Sequence, residues 1–457
     1  MRKIKQISVT NLFGMFNHVI PLKLEDHVTI IHGPNGFGKT IILKLLSEIF
    51  SQADMQLFGR SCETLRTIPF EEFRIDFEDD YSFWMKKTPH LVQKMAPQAT
   101  LVEQWVPQIA FYDSNHNSED KAFILNLKPS YTSIQITIAT QEIPILHMIS
   151  SSIPELDYIP DYAGPKWRHR PTGEELMLED VVEHFGDQLP IDLARQEEPD
   201  WLKDIRKSLP VRLIGTERLS SLSQSPAEYA NELVEYIRKQ LAASVALSQS
   251  LDSTFPARIV RPNANYQNVT EQELRDRLAN VEKKRARLVA AGLLDQEDNI
   301  AFQAGDRIDE STKIALSIYV EDTEKKLGVF DELADKLDML TDIINRRFLY
   351  KRMSINKESG FVYTTSGGIN LLLTNLSSGE QHELVMFYEL LFKATPGSLI
   401  LIDEPEISLH IVWQEQFIKD VQKITGLTNT DVLVATHSPD IISDRWDLTV
   451  QLEGPGR

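Results

Sequence analysis

The segment from Gly33 to Thr40 reads G-P-N-G-F-G-K-T and satisfies the pattern G-x-x-x-x-G-K-[ST] in full. A loop of this kind has one well-understood use, the cradling of phosphates. Gly33, Pro34, Asn35, Gly36, Phe37 and Gly38 form its body, and Gly36 and Gly38 let backbone N–H groups curl around an anion. The apolar run that follows is helical in spacing, so the positive end of a helix faces the same anion. Lys39 is expected to reach the β- and γ-phosphates of a nucleotide, and Thr40 to offer its hydroxyl to Mg²⁺.

Far downstream, S-L-I-L-I-D-E-P ends an apolar strand in two carboxylates, Asp403 and Glu404. A run that is apolar throughout fits a parallel strand covered on both faces, and ligands collect beyond the carboxyl ends of such strands. Asp403 is therefore expected in a Mg²⁺ shell, with Glu404 placed to orient or deprotonate an attacking water. V-L-V-A-T-H-S-P repeats the pattern and ends at His437, which suits either a γ-phosphate sensor or a simple loop cap. Between the two ends lies N-L-S-S-G-E-Q, with Ser377, Ser378 and Gly379. A serine hydroxyl and a glycine N–H at a helix start make an anion site, although N-capping explains Ser378 equally well.

The elements that must hold these groups are readable in part. A strand with Ile4, Ile7 and Val9 precedes H-V-T-I-I-H, a second strand that ends at the phosphate loop. After the loop, Ile42, Leu43, Leu45, Leu46 and Ile49 have helical spacing. Residues from about 66 to 145 alternate in short runs, among them F-R-I-D-F and S-I-Q-I-T-I, which predicts an antiparallel sheet. The stretch 150–205 shows no period and reads as an irregular insertion. V-R-L-I-G-T-E-R-L (211–219) is a short buried strand, and from about 226 to 347 the pattern is helical. Thr270 and Glu273 open one helix at capping-box spacing, carrying Leu274, Leu278, Val281 and Leu288. Leu327, Phe330, Ala334, Leu337, Leu340 and Ile344 mark a longer helix with the three-and-four steps of a coiled-coil seam. The economical picture is a short antiparallel helical hairpin; two ordinary packed helices are the plainer alternative. The chain thus divides into 1–219, a helical insertion over 220–347, and 348–457.

With 457 residues the chain is long enough for a large core, and 42% hydrophobic and 25% charged residues are ordinary for a soluble globular protein. No stretch approaches the ~18 apolar residues a membrane span needs, and Met1 to Val9 does not read as a signal peptide. Cys62 is the only cysteine, which excludes an internal disulfide or a cysteine metal cage. The expected compartment is the cytoplasm. With 48 Lys+Arg against 67 Asp+Glu the formal charge is -19, a field that repels nucleic acid on average while leaving room for a local basic groove.

Taken in order, the phosphate loop, L-S-S-G-E, I-D-E-P and T-H-S-P resemble the ABC ATPase superfamily, and within it the SMC, RecF and OLD-like branch. That resemblance implies an α/β fold, an ABC-type P-loop ATPase head interrupted by a helical insertion. It also implies that two heads sandwich ATP and Mg²⁺. Gly33 to Thr40, Asp403, Glu404 and His437 would act in one subunit, and Ser377, Ser378 and Gly379 would close over the partner's nucleotide. A homodimer or a higher even-numbered oligomer follows. His410 in D-E-P-E-I-S-L-H stands where transporter heads carry an aspartate, a form similar to OLD-like and antiphage ATPases. There is no clear Q-loop glutamine; Glu217 or Arg218 lies near that role, with a structural ion pair as the alternative for Arg218. I-G-T-E-R-L, a long helix and Q-S-L-D-S-T-F-P-A-R look like the ATPase subunit of Septu-type antiphage systems, PtuA. In that family a separate HNH nuclease is the effector, and here too any nucleolytic output is expected from a partner. A repair-type ATPase that clamps DNA is the other reading, and a transporter subunit is disfavoured.

Overall fold

The computed structural model describes residues 2–50, 63–93, 101–113, 121–124, 153–159, 166–177, 181, 185, 200–215, 225–263, 266, 268–295, 309–407 and 409–454. Two compact units emerge, one built from Met1–Leu22, Gly33–Val211 and Gln451–Arg457, the other from Lys23–His32 and Arg212–Val450.

The first unit is organised on an antiparallel sheet of order β2-β1-β4-β5-β6-β7. Its strands are β1 (Ile4–Leu12), β2 (Phe16–Pro21), β4 (Glu72–Phe77), β5 (Tyr81–Gln93), β6 (Leu101–Asp113) and β7 (Lys121–Ile124). The alternation read in F-R-I-D-F is real, since Phe73, Ile75 and Phe77 are all buried. S-I-Q-I-T-I lies outside the described residues. Helix α1 (Lys39–Phe50) buries Ile42, Leu43, Leu45, Leu46 and Ile49, the stripe the sequence predicts. Its last turn is finished by Arg206 of helix α3 (Asp200–Ser208), whose Nε donates to the Ile49 carbonyl at 2.7 Å. Glu48 in turn accepts from the backbone N–H groups of Thr64 and Leu65 and so caps helix α2 (Glu63–Thr67). Part of the stretch 150–205 is regular after all: β8 (Leu156–Ile159), β9 (Lys166–His169) and β10 (Glu175–Met177) form a small antiparallel sheet over the buried Trp167. Strands of three or four residues are too short to show a period.

The second unit is a five-stranded sheet of order β11-β15-β16-β3-β17 packed with helices. Its strands are β3 (Val28–His32), β11 (Val211–Ile214), β15 (Leu399–Asp403), β16 (Asp431–Thr436) and β17 (Thr449–Gln451). β15, β16 and β3 are parallel neighbours. Every residue of β15 is buried, as its unbroken apolar run requires. A second, antiparallel sheet of β12 (Lys351–Asn356), β13 (Gly360–Thr365) and β14 (Asn370–Leu371) precedes the Ser377 turn.

The helical stretch consists of α4 (Pro226–Val260), α5 (Glu271–Ala290), α6 (Glu310–Gly328) and α7 (Asp331–Arg347). Ser225 and Glu228 form a capping box on α4, and Thr270 caps α5 as its sequence suggests. The expected long helix through 327–344 is two: Gly328 ends one and Phe330 caps the next. Leu327, Phe330, Ala334, Leu337, Leu340 and Ile344 are buried in one cluster with Val28, Ile30, Ile402 and Val434. The seam of α7 therefore packs on the sheet's own core. Ion pairs tie α5 to α6 and α7, among them Arg277–Glu324, Lys284–Asp331 and Arg287–Asp335. The loop near Gly305, Glu217, Arg218 and Cys62 lie outside the described residues. Among those described, no helix is long and apolar enough to cross a membrane.

Candidate functional site

The phosphate loop belongs to the first unit and is braced from beneath. Gly36 and Gly38 sit at φ +87° and +86°, where an L side chain is strained. At Gly38 a Cβ would also stand 2.5 Å from Leu12 Cδ2, so this glycine is required twice over. Gly36, by contrast, has open space where its side chain would be. Lys39 is buried and folded over the loop, its Nζ donating to the Gly33 carbonyl at 2.7 Å and the Pro34 carbonyl at 3.1 Å. Phe37 is held by β2. His18 Nε2 donates to the Phe37 carbonyl at 2.9 Å, and Phe16 lies between the two rings, 5.7 Å from His18 and 5.2 Å from Phe37. Burial holds the His18 pKa below its ordinary value, partly offset by that carbonyl. His18 and Phe16 were not legible as loop supports, because nothing in their spacing marks which strand underlies the turn.

The carboxylates and the histidine belong to the second unit, on adjacent parallel strands. The register sets Asp403 beside Ala435 and Thr436 beside His32. Asp403 is buried at the end of β15. Glu404 steps out of the strand at φ +45°, a left-handed conformation that costs a non-glycine residue about 1–3 kcal/mol. Its backbone N–H donates to the Ala435 carbonyl at 2.8 Å, continuing the ladder through the turn. The result brings Glu404 Oε1 within 3.8 Å of His437 Nδ1. The two side chains stand near each other, just beyond direct hydrogen-bond reach. Glu406 was missed by motif reading, although a third carboxylate in D-E-P-E was the available signal. It accepts from the Thr436 hydroxyl at 2.8 Å and from His437 Nδ1 at 2.9 Å. His410 is the N-cap of helix α9 (Ile411–Thr428), accepting from the Val412 N–H at 3.4 Å.

Ser377, Ser378 and Gly379 start helix α8 (Ser378–Tyr388). The capping residue is Ser377 and not Ser378. Its hydroxyl accepts from the Glu380 N–H at 3.3 Å, while Glu380 accepts the Ser377 N–H at 2.7 Å. Burial would raise the Glu380 pKa, but hydrogen bonds from Lys351 and Ser377 bring it below the usual range. Both serines are exposed, and no hydrogen bond or ion pair among the described residues joins this turn to Glu404 or His437. At the other end of α8, Glu383 is fully buried against Arg347, which also grips Asp420 of α9. Burial pushes the Glu383 carboxyl up to about 7, against the pull of Arg347.

A parallel sheet whose strands end in Asp-Glu and Thr-His, and whose strand β3 runs straight into a phosphate loop, defines an α/β P-loop ATPase. The chain belongs to the AAA ATPase domain family, whose profile matches residues 2–442. It is similar to the UvrABC system protein A of Clostridium acetobutylicum, 28% identical over 134 residues, 29% of this chain. The match spans only 12% of that protein's length. Among solved structures it is similar to the Smc head domain of Pyrococcus furiosus, with an extended coiled coil bound to the C-terminal domain of ScpA. The TM-score is 0.34 and the identity 11%, covering 97% of this chain and 91% of that one. The SMC head domain from Thermotoga maritima gives 0.29 and 11%, covering 97% and 92%.

Proposed function

We propose that this chain hydrolyses Mg·ATP in a site built by Lys39 and Thr40 together with Asp403, Glu404 and His437, and that a second copy completes it with Ser377, Ser378 and Gly379. One observation carries the reading. Asp403, Thr436 and His32 stand at the same end of three adjacent parallel strands, and Gly33 follows His32 directly in the chain. The donor set fits the substrate: the backbone N–H groups of a glycine-rich loop, a lysine bonded to loop carbonyl oxygens, a threonine hydroxyl and a buried carboxylate. The Thr40 hydroxyl and the buried Asp403 carboxylate fit Mg²⁺, which takes one or two protein ligands plus phosphate oxygens and, when bound, would neutralise phosphate charge.

In this scheme Lys39 exchanges its loop carbonyls for phosphate oxygens. Glu404 accepts a proton as water attacks the γ-phosphorus and the bond to the ADP oxygen breaks. His437 lies beside Glu404 to contact the γ-phosphate. The helical segment 220–347 is an insertion in the head. ATP shared by two copies favours association by mass action, and its hydrolysis removes the contacts of the γ-phosphate. The biological reading is control of a separate effector, an HNH-type nuclease, in antiphage defence of the Septu type. What supports it is the D-E-P-E-I-S-L-H form and the I-G-T-E-R-L segment.

The first test is Lys39→Ala. Loss of charge-assisted bonds worth about 1.5–3 kcal/mol each predicts at least a tenfold weaker Kd for ATP. Unchanged affinity by calorimetry removes the phosphate-loop assignment.

A further inference from the structure

Directly after Glu404, the chain makes one 3₁₀ turn through Pro405–Ile407 and returns Glu406 to the end of β16. There its carboxylate collects three donors. Oε2 accepts the Thr436 hydroxyl at 2.8 Å, and Oε1 accepts both the His437 backbone N–H and His437 Nδ1, each at 2.9 Å. The loop is pinned a second time through Gln414. Its Nε2 donates to the Glu406 carbonyl at 3.4 Å, and its Oε1 accepts the Ser438 hydroxyl at 2.9 Å. Glu406 is thus fixed and 7% exposed, while the imidazole it holds is 45% exposed.

A carboxylate only accepts, so the ring nitrogen facing it carries the proton. Nδ1 lies 2.9 Å from Glu406 but 3.8 Å from Glu404 Oε1, so that proton is committed to Glu406. In its neutral form the imidazole has a single N–H, so a proton on Nδ1 leaves Nε2 as an acceptor. We infer that Glu406 is a positioning residue for ATP hydrolysis: it sets the tautomer and ring orientation of His437 and keeps Nδ1–H off Glu404.

The physical need is plain. Without Glu406 an exposed imidazole is free to flip about χ2. The other carboxylate beside it is Glu404, and an N–H bonded there would occupy the group that must take a proton from water. A histidine steered by a fixed carboxylate is a recurring device for avoiding both outcomes. The inference rests on the roles given above to Glu404 and His437.

The test uses the full chain and Glu406→Gln, which keeps the volume but replaces one acceptor oxygen with a donor. Steady-state kinetics should show kcat down about tenfold to a hundredfold, the range for such partners, with the KM for ATP within about threefold. Ring ¹⁵N shifts without nucleotide, assigned by the signal lost in His437→Gln, should show the Nδ1–H form in the parent protein. The Glu406→Gln protein should show its loss. An Nε2–H ring in the parent protein overturns the inference, even where the variant fails to fold. So does a variant with parent kcat, or one with reduced kcat and an unchanged tautomer. Failure of the underlying site is a different result: Glu404→Gln hydrolysing ATP at the parent rate.

Discussion

Glu404 occupies a backbone conformation that a glycine would hold more cheaply, and its side chain ends near a histidine and beyond a buried aspartate. Strain of this kind persists only where surrounding bonds over-determine it, here the Ala435 carbonyl and the Glu406 turn. A carboxylate held in that way is suited to proton transfer. Glu404→Gln should therefore bind ATP with near-parent affinity while kcat falls about 10²–10⁴-fold, the usual worth of a general base. Single-turnover hydrolysis and equilibrium binding check the two halves separately. A variant that no longer binds ATP would show that Glu404 holds nucleotide and does not act on water.

Helix α8 joins an exposed capping turn to a buried charge cluster. Its first turn is fixed by Ser377, Glu380 and Lys351, and its interior by Glu383, Arg347 and Asp420. Arg347 thus links α7, α8 and α9. The first unit carries a comparable buried cation. Lys87 on β5 donates to the Ile68 carbonyl at 2.5 Å and lies 4.5 Å above the Phe70 ring. Burial lowers its pKa to about 8, with Glu48 opposing. An unfolded lysine titrates near ~10.4, so across that window the unfolded chain holds a proton the folded one has released. This term adds stability above pH ~10.4 and is lost as pH falls through about 8. Lys87→Met should lack the rise of up to about 3 kcal/mol between pH 8 and 10. Urea denaturation of both proteins at the two pH values measures the difference; parallel curves would show that the lysine is charged throughout.

The chain passes between the two units four times. β3 leaves the second unit for the phosphate loop, and β11 returns from the first. The serine turn is exposed, and Glu404 and His437 are partly exposed, so the proposed second copy can reach them. Mass photometry of Glu404→Gln should show monomer without nucleotide and dimer with Mg·ATP, and Ser378→Arg should abolish the shift. A monomer under both conditions removes the second copy from the site. The charge of -19 predicts weak DNA binding by the lone protein; a steep fall of affinity with salt would instead favour the DNA-clamping reading.

Local chemistry was legible because it is local. G-P-N-G-F-G-K-T, the apolar run before Asp403 and the stripe of α1 state their conformations through glycine freedom, hydrophobic continuity and period, none of which needs a distant partner. The cap by Ser377 was not separable from one by Ser378, since both precede an acceptable helix start and only the reach to Glu380 distinguishes them. The break at Phe330 was hidden because an apolar seam continues across it. Only the tertiary structure decided that Glu406 faces His437, that His18 holds the loop at Phe37, and that Arg347 joins three helices. Sequence fixes what each segment prefers on its own. Which segments meet depends on strand register and buried packing, which are properties of the assembled chain.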